Sequence, residues 1–201
     1  MIRGLLAEDQ AMMRGALAVL LGLEPDIEVV AEVSTGTAIL PRALETRPDV
    51  ALLDIELPHV SGLEAAAALT EALPECRVVM VTTFGRPGYL QRAMAAGAVG
   101  FLVKDGPVEG LAEAIRKVAG GATVVDPELA AKALRTAVSP LTPRERDVLA
   151  AAEDGSTVAD VASRLHLSAS TVRNYLSDAI GKTGTRNRTE AALLARRNGW
   201  L

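Results

Sequence analysis

The chain has 201 residues, 49% hydrophobic and 23% charged, with a formal net charge of −4, an ordinary globular balance. Aromatics supply only 2%, so the cores rest on Leu, Val, Ile and Ala, and the single cysteine, Cys76, excludes an internal disulfide framework. No run approaches the roughly 18 apolar residues of a membrane span and no signal core follows a basic N-terminus, so a cytoplasmic protein is expected.

Short apolar runs alternate with helical patterns from the N-terminus, as in a parallel α/β domain. Strands are predicted at Ile2–Ala7, Ile27–Glu32, Val50–Asp54, Val78–Thr82 and Val99–Val103, which makes a five-stranded sheet. Helices are predicted at Ala11–Leu21, around Ile39–Thr46, and at Gly62–Leu73, Tyr89–Ala96 and Val108–Val118. Ser61-Gly62-Leu63-Glu64 has a capping-box pattern, and Pro107 suits a first helical turn. Pro41 is expected to make the second helix start late or kink, because an interior proline costs roughly 3 kcal/mol.

Gly120-Gly121 closes the fifth helix, and the Ala-rich stretch 126–138 is expected to hold a short linker helix. From Leu141 onward there are no strand signals, only four capped helices, opened by Thr142…Glu145 with Pro143 in the first turn, Thr157…Asp160, Ser168…Thr171 and Asn187…Glu190. These patterns divide the chain into an α/β domain at 1–120, a linker at 121–139 and a small all-α domain at 140–201. Nine Lys/Arg against seven Asp/Glu lie from Pro140 onward, whereas the rest carries 12 against 18. An acidic half followed by a mildly basic one fits a regulatory domain joined to a polyanion-binding one.

In a parallel α/β sheet, ligands bind beyond the carboxyl ends of the strands. Glu8 and Asp9 follow the first predicted strand, Asp54 ends the third, Thr82 and Thr83 the fourth, and Lys104 the fifth. One acid after a strand ordinarily caps a helix or sits solvated, and one lysine is ordinarily a solvated charge; four matched positions in order point to a site. Three converging carboxylates repel one another, and their hard oxygens suit Mg²⁺ as counter-ion. A lysine and a hydroxyl beside them make a phosphoryl site, with Asp54 as nucleophile and the cations offsetting charge on the transferred oxygens.

The pattern Glu8-Asp9, Leu52-Leu53-Asp54-Ile55-Glu56-Leu57-Pro58, Ser61-Gly62-Leu63, Val81-Thr82-Thr83 and Phe101-Leu102-Val103-Lys104 resembles the receiver domains of two-component response regulators. The resemblance implies a flavodoxin-like domain in which Asp54 accepts a phosphoryl group from a sensor histidine kinase. It also implies that Asp9, Asp54 and the Glu56 backbone carbonyl hold Mg²⁺, with Glu8 acting largely through water. Thr82 would bond the phosphoryl group and Lys104 would pair with it. Phe101 stands where many receivers carry a switching tyrosine; it can turn inward as Thr82 moves but has no hydroxyl to anchor either state. Asp105 stands where the family frequently has proline.

In the all-α part, Val158–Leu165 and Ser168–Lys182 joined by His166-Leu167 have helix-turn-helix spacing, the second helix being the major-groove reader. Val158, Val161, Ala162 and Leu165 are expected to bury one face of the first helix, and Val172, Leu176 and Ile180 one face of the second. Arg173, Asn174 and Ser177 are left pointing outward. Arg pairs with guanine and Asn with adenine in bidentate geometry. Ser168, Ser170 and Thr171 at the helix N-terminus suit phosphate, and Lys182, Arg186 and Arg188 are further candidates for phosphate contacts. Helix spacing alone fits a plain bundle equally well. However, Leu141-Thr142-Pro143-Arg144-Glu145, Val161-Ala162, Leu165, Leu167-Ser168, Thr171–Leu176 and Asn187–Ala191 resemble the LuxR-type helix-turn-helix of NarL/FixJ regulators. That resemblance implies double-stranded DNA as partner, base reading by Arg173, Asn174 and Ser177, and a last helix, about 187–198, that often dimerises. Trp200 is expected to close the small core, and His59 and His166 to be exposed turn residues.

The implied mechanism is activation by phosphorylation. About −1.5 to −2 charge added at Asp54 draws in Thr82 and Lys104. This alters either the face of helix four, strand five and helix five or that of helices one and five, favouring a homodimer that binds DNA. Two alternatives stand beside it. The Asp54-Ile55-Glu56 sequence loosely echoes aspartate-nucleophile phosphohydrolases, but the second aspartate and cap domain of such enzymes are missing. A phosphorylation-independent DNA-binding protein with a decayed receiver is opposed by the complete acid, hydroxyl and lysine set. The stretch Thr82–Tyr89 also resembles the DesR-type regulators, which implies control of a lipid desaturase in response to membrane fluidity.

Overall fold

A computed structural model describes residues 1–83, 85–104, 108–135 and 139–201, without the side chains of residues 108, 109 and 135. The expectations resting on Phe84, Asp105 and Pro107, and on the linker's end at Val138, fall outside these residues. The chain divides into two compact units, residues 1–85 with 90–131 and residues 132–201 with 86–89.

The first unit is built on an all-parallel sheet of β1 (Ile2–Ala7), β2 (Ile27–Val33), β3 (Val50–Asp54), β4 (Arg77–Thr82), β5 (Gly100–Val103) and β6 (Val124–Val125), in the order β2-β1-β3-β4-β5-β6. The five predicted strands match to within one residue at each end. The sixth corrects the expected count: β6 pairs only Val124 and Val125 with Gly100 and Phe101, too short a stretch for any alternation to register. Connecting helices are α1 (Ala11–Gly22), α2 (Gly36–Thr46), α3 (Gly62–Ala72), α4 (Pro87–Ala95) and α5 (Val108–Ala119), followed by α6 (Pro127–Arg135) in the predicted linker. Strand residues Leu6, Val50, Leu52, Val79 and Val81 share a buried cluster with Leu21 of α1 and Ile115 and Val118 of α5. Their neighbours Leu5, Ala51, Leu53, Val78 and Met80 are equally buried and by the pleat point to the opposite face, so both faces are covered, as a parallel sheet requires.

The second helix departs from expectation. α2 starts early, at Gly36, and holds Pro41 in its interior. Proline removes one helical hydrogen bond, to the Thr37 carbonyl, but tertiary packing sets the start. The Gly36 N–H bonds the Pro58 carbonyl, and a Cβ there would lie 1.8 Å from the Val60 carbonyl oxygen. α3 opens with the predicted capping box: Ser61 Oγ accepts from the Glu64 N–H and Glu64 accepts from the Ser61 N–H at 2.9 Å.

The second unit holds α7 (Pro143–Ala151), α8 (Val158–Leu165), α9 (Ala169–Thr183) and α10 (Arg188–Arg197). Capping boxes at Thr142/Glu145 and Thr157/Asp160 start α7 and α8, and Ser168 and Asn187 cap α9 and α10 through the Thr171 and Glu190 N–H groups. The core comprises Leu141, Val148, Leu149, Val161, Val172, Leu176, Ala191, Ala195 and Trp200, which places Trp200 inside, as expected. Among the described residues no helix is long and apolar enough to cross a membrane.

Candidate functional site

The strand order reverses between β1 and β3, and in open α/β sheets such a switch point is where ligands bind. The register Ala7↔Leu53 sets Glu8 beside Asp54 there. Both are buried, at 1% and 5% exposure, whereas Asp9 is exposed. Lys104, next after β5, reaches across the site: its Nζ lies 2.8 Å from Asp54 Oδ2 and 2.5 Å from Glu8 Oε2. Its backbone N–H bonds the Thr82 carbonyl at 2.8 Å, tying the lysine to the buried hydroxyl-bearing residue that ends β4. Burial opposes the Lys104 charge, but the Asp54 and Glu8 carboxylates outweigh it and hold the ammonium above the ordinary lysine range. Glu8 Oε1 accepts from the Gln10 N–H, and Asp54 Oδ1 accepts from the Glu56 N–H at 3.4 Å. Glu8, Asp9 and Asp54 each offer an oxygen within 4.8 Å of the others, so the three predicted acids do converge. Phe101 is fully buried, turned inward. His59 is exposed, as expected, with φ at +71°.

In the second unit α8 and α9 are joined through His166, whose φ of +53° ends α8 in the left-handed region. Val161, Ala162, Val172, Leu176 and Ala179 are buried, with Val158, Leu165 and Ile180 packed around them. Arg173, Asn174 and Ser177 all lie on the exposed side of α9. At its N-terminus Ser168 Oγ sits 2.8 Å from Ser170 Oγ and 2.7 Å from Thr171 Oγ1. The three other basic candidates are engaged. Lys182 pairs with both oxygens of Glu145, Arg186 with Glu190, and Arg188 with the Ser156 carbonyl at 2.8 Å. Arg173 holds no ion pair among the described residues.

Two family descriptions match this chain: the response regulator receiver domain over residues 5–116 and the bacterial regulatory proteins of the luxR family over residues 139–195. Over the full length of both chains it is 46% identical to the transcriptional regulatory protein YvfU and 44% identical to the transcriptional regulatory protein DesR, both of Bacillus subtilis strain 168. The chain belongs to the LuxR-type response regulators. The crystal structure of ChrA, a response regulator of a heme-sensing two-component system, aligns over 100% of this chain and 98% of its own at 32% identity and TM-score 0.57. The molecule is thus a transcriptional regulator with a flavodoxin-like receiver and a helical DNA-binding domain, rather than a classical enzyme.

Several residues that shape these sites were not legible as such. Gly62 lets the receiver's α3 abut the strand that ends in Asp54, since a Cβ there would stand 1.8 Å from the Asp54 carbonyl oxygen. The Ser61-Gly62 pair is the available signal, present in the sequence as a cap and as part of the receiver pattern. Arg14 donates to the Glu8 carbonyl at 2.7 Å, holding α1 to the acidic loop. Glu145 of the DNA-binding domain, beyond its capping role, is a buried acid gripping Lys182. Cys76 is buried, which pushes its thiol up to about 12 and leaves it unreactive at neutral pH.

Proposed function

We propose that Asp54 takes a phosphoryl group from a sensor histidine kinase and that this shifts the regulator to a homodimer that reads DNA through α9. The reading assigns residues 1–120 to the phosphoacceptor domain, 121–139 to the linker and 140–201 to the DNA-binding domain. The observation that carries it is the shared grip of Asp54 and Glu8 on Lys104 at the switch point of the sheet. Asp54 Oδ attacks phosphorus in line; an O–P bond forms as the donor's P–N bond breaks, and the leaving imidazole takes a proton from solvent. Lys104 then moves its charge to the phosphoryl oxygens, and the Thr82 hydroxyl donates to them. The donor set fits Mg²⁺, the converging oxygens of Glu8, Asp9 and Asp54 being all carboxylate. Asp9, Asp54 and the Glu56 carbonyl would hold it directly; Glu8, whose oxygens already face the Gln10 N–H and Lys104, would act through water. Bound there, Mg²⁺ offsets charge on the transferred oxygens.

Met12, Val19 and Leu23 stand 89%, 65% and 75% exposed on α1 and just beyond its end, which favours the face of helices one and five for the dimer. Two linked DNA-binding domains gain effective concentration on a paired half-site, and a shift from mostly inactive to mostly active takes about 5.5 kcal/mol of bias. Arg173, Asn174 and Ser177 read bases, Ser168, Ser170 and Thr171 bind phosphate, and the exposed Arg186 with Arg188 flanks the backbone. Such a regulator works in the cytoplasm, where its DNA is. Control of lipid-desaturation genes is supported by the Thr82–Tyr89 resemblance and by the identity to DesR. The test is intact mass and oligomeric state with and without acetyl phosphate and Mg²⁺. A phosphoryl adduct, dimer and tightened DNA binding are expected in wild type only. An Asp54→Ala protein that dimerises and binds DNA identically under phosphodonor refutes the proposal.

A further inference from the structure

Glu145 is only 4% exposed, yet it carries two loads. Its Oε2 accepts from the Thr142 N–H at 2.7 Å, closing the α7 capping box, and its two oxygens lie 2.7 and 2.8 Å from Lys182 Nζ. Lys182 is the penultimate residue of α9, and its side chain is 39% exposed. A lysine free to meet phosphate would carry a net charge outward; this one is neutralised by a carboxylate that holds it through both oxygens. Freeing Lys182 would leave Glu145 with the Thr142 N–H as its remaining partner and without its counter-charge. At 100° per residue, Lys182 lies about 180° around α9 from Arg173, about 140° from Ser177 and about 80° from Asn174.

We infer that Lys182 is not a phosphate contact: with Glu145 it forms a strut that fixes the far end of the recognition helix to the start of α7 and so aims Arg173, Asn174 and Ser177 at the base edges. The inference rests on the DNA-reading assignment of α9. Lys182 and Glu145 are positioning residues, and the pair predicts behaviour opposite in sign to that of a phosphate-binding lysine. A charge neutralised in the free protein releases no counterion when DNA binds, so its removal leaves the salt dependence intact. Loss of aim instead weakens the reading of bases while leaving sequence-independent attraction alone.

The experiment uses the full-length phosphorylated regulator. Duplexes selected from a randomised pool by the wild type are compared with an unrelated duplex of equal length, for wild type, Glu145→Gln, Lys182→Met and the double variant. Glutamine keeps the capping-box acceptor and removes only the charge. Each protein is measured well below its own melting temperature, so that all are folded. The expected result is a preference for selected over unrelated DNA that falls roughly tenfold in each single variant, about the worth of one bidentate base contact. The double variant should fall no further, and the salt slope on unrelated DNA should stay unchanged throughout. The inference is overturned if Lys182→Met keeps the preference and flattens the slope by about 0.9, one phosphate contact, while Glu145→Gln tightens binding to all DNA. It is equally overturned if both variants merely melt earlier, with preference and slope intact. A wild type that selects no sequence at all would overturn the DNA-reading assignment together with the inference, an outcome distinct from the other two.

Discussion

Gly62 and Gly15 are both helical glycines of the receiver, and replacing each by alanine should move stability in opposite directions. At Gly62 a new Cβ would lie 1.8 Å from the Asp54 carbonyl oxygen, 2.8 Å from its carbon and 3.2 Å from the Ile55 Cα. All three are backbone atoms at the end of β3, so no side-chain rotation relieves the clash. Overpacking a core costs typically 1–3 kcal/mol, and a backbone-to-backbone clash belongs at or above the top of that range, about 3 kcal/mol. Alanine returns at most ~1 kcal/mol of helix propensity, leaving a net loss of about 2 kcal/mol. For a domain of this size that lowers the melting temperature by roughly 8 °C. The Gly62 N–H also bonds the Ile55 carbonyl at 3.0 Å, so the phosphoacceptor must shift as α3 retreats, and labelling by acetyl phosphate should slow with it. At Gly15, in mid-α1, nothing lies within 4 Å of the added carbon; only the propensity gain remains, about +1 kcal/mol and a melting temperature about 4 °C higher. Thermal unfolding followed by circular dichroism, alongside the rate of phosphoryl adduct formation, reads both. A Gly62→Ala protein that melts at or above wild type and labels at the wild-type rate would refute the packing argument.

Three further outcomes follow from the same structure. Lys104→Met leaves the Glu8 and Asp54 carboxylates buried together without their cation, so it should destabilise the receiver by about 3 kcal/mol in metal-free buffer; added Mg²⁺ should raise its melting temperature by more than it raises that of wild type, and an equal rise would contradict the assignment of those acids as ligands. His166→Gly removes a side chain from a left-handed residue at the end of α8 and should stabilise the DNA-binding domain by about 1 kcal/mol, seen as a raised denaturant midpoint. Burial resists ionisation of Glu145, but Lys182 and the Thr142 N–H and hydroxyl prevail and hold its carboxyl below the ordinary value of 4.5. A depressed carboxyl contributes stability above that value and loses it as pH falls through the lower one, so acid titration of unfolding should be shallower below pH 4.5 in Glu145→Gln than in wild type.

What the sequence made legible is what local chemistry determines. Strand limits followed from apolar runs long enough to span the sheet, and helix starts from hydroxyls and carboxylates three residues apart, as at Ser61/Glu64 and Thr142/Glu145. The order of acids, hydroxyl and lysine along the chain located the pocket because a parallel sheet brings every strand's carboxyl end to one edge. The misses are all non-local. α2 starts at Gly36 because the Val60 carbonyl needs the space of a side chain there, a demand from 24 positions away that no propensity anticipates. β6 is two residues of borrowed ladder. The predicted helix at Ala11–Leu21 forms, yet only Leu21 of α1 is fully buried. Apolar periodicity tells which residues avoid water, not whether the cover comes from the same chain.

The two lysines held by carboxylates, Lys104 and Lys182, show why chemistry alone does not assign a role. Each ammonium bonds an acid that is almost wholly buried, and in each the pair must outweigh the cost of taking charge from water. They differ in what can replace the partner. In the proposed mechanism a phosphoryl group would bring about −1.5 to −2 charge to the very carboxylate Lys104 already holds, so the cation could turn to the new oxygens while remaining compensated. That exchange would make the contact a switch. At Lys182 a phosphate of a DNA backbone would compete with Glu145, which holds the ammonium through both oxygens and whose other partner is the Thr142 N–H. An ion pair held in this way serves geometry, and in the proposed mechanism the geometry it serves is the aim of α9.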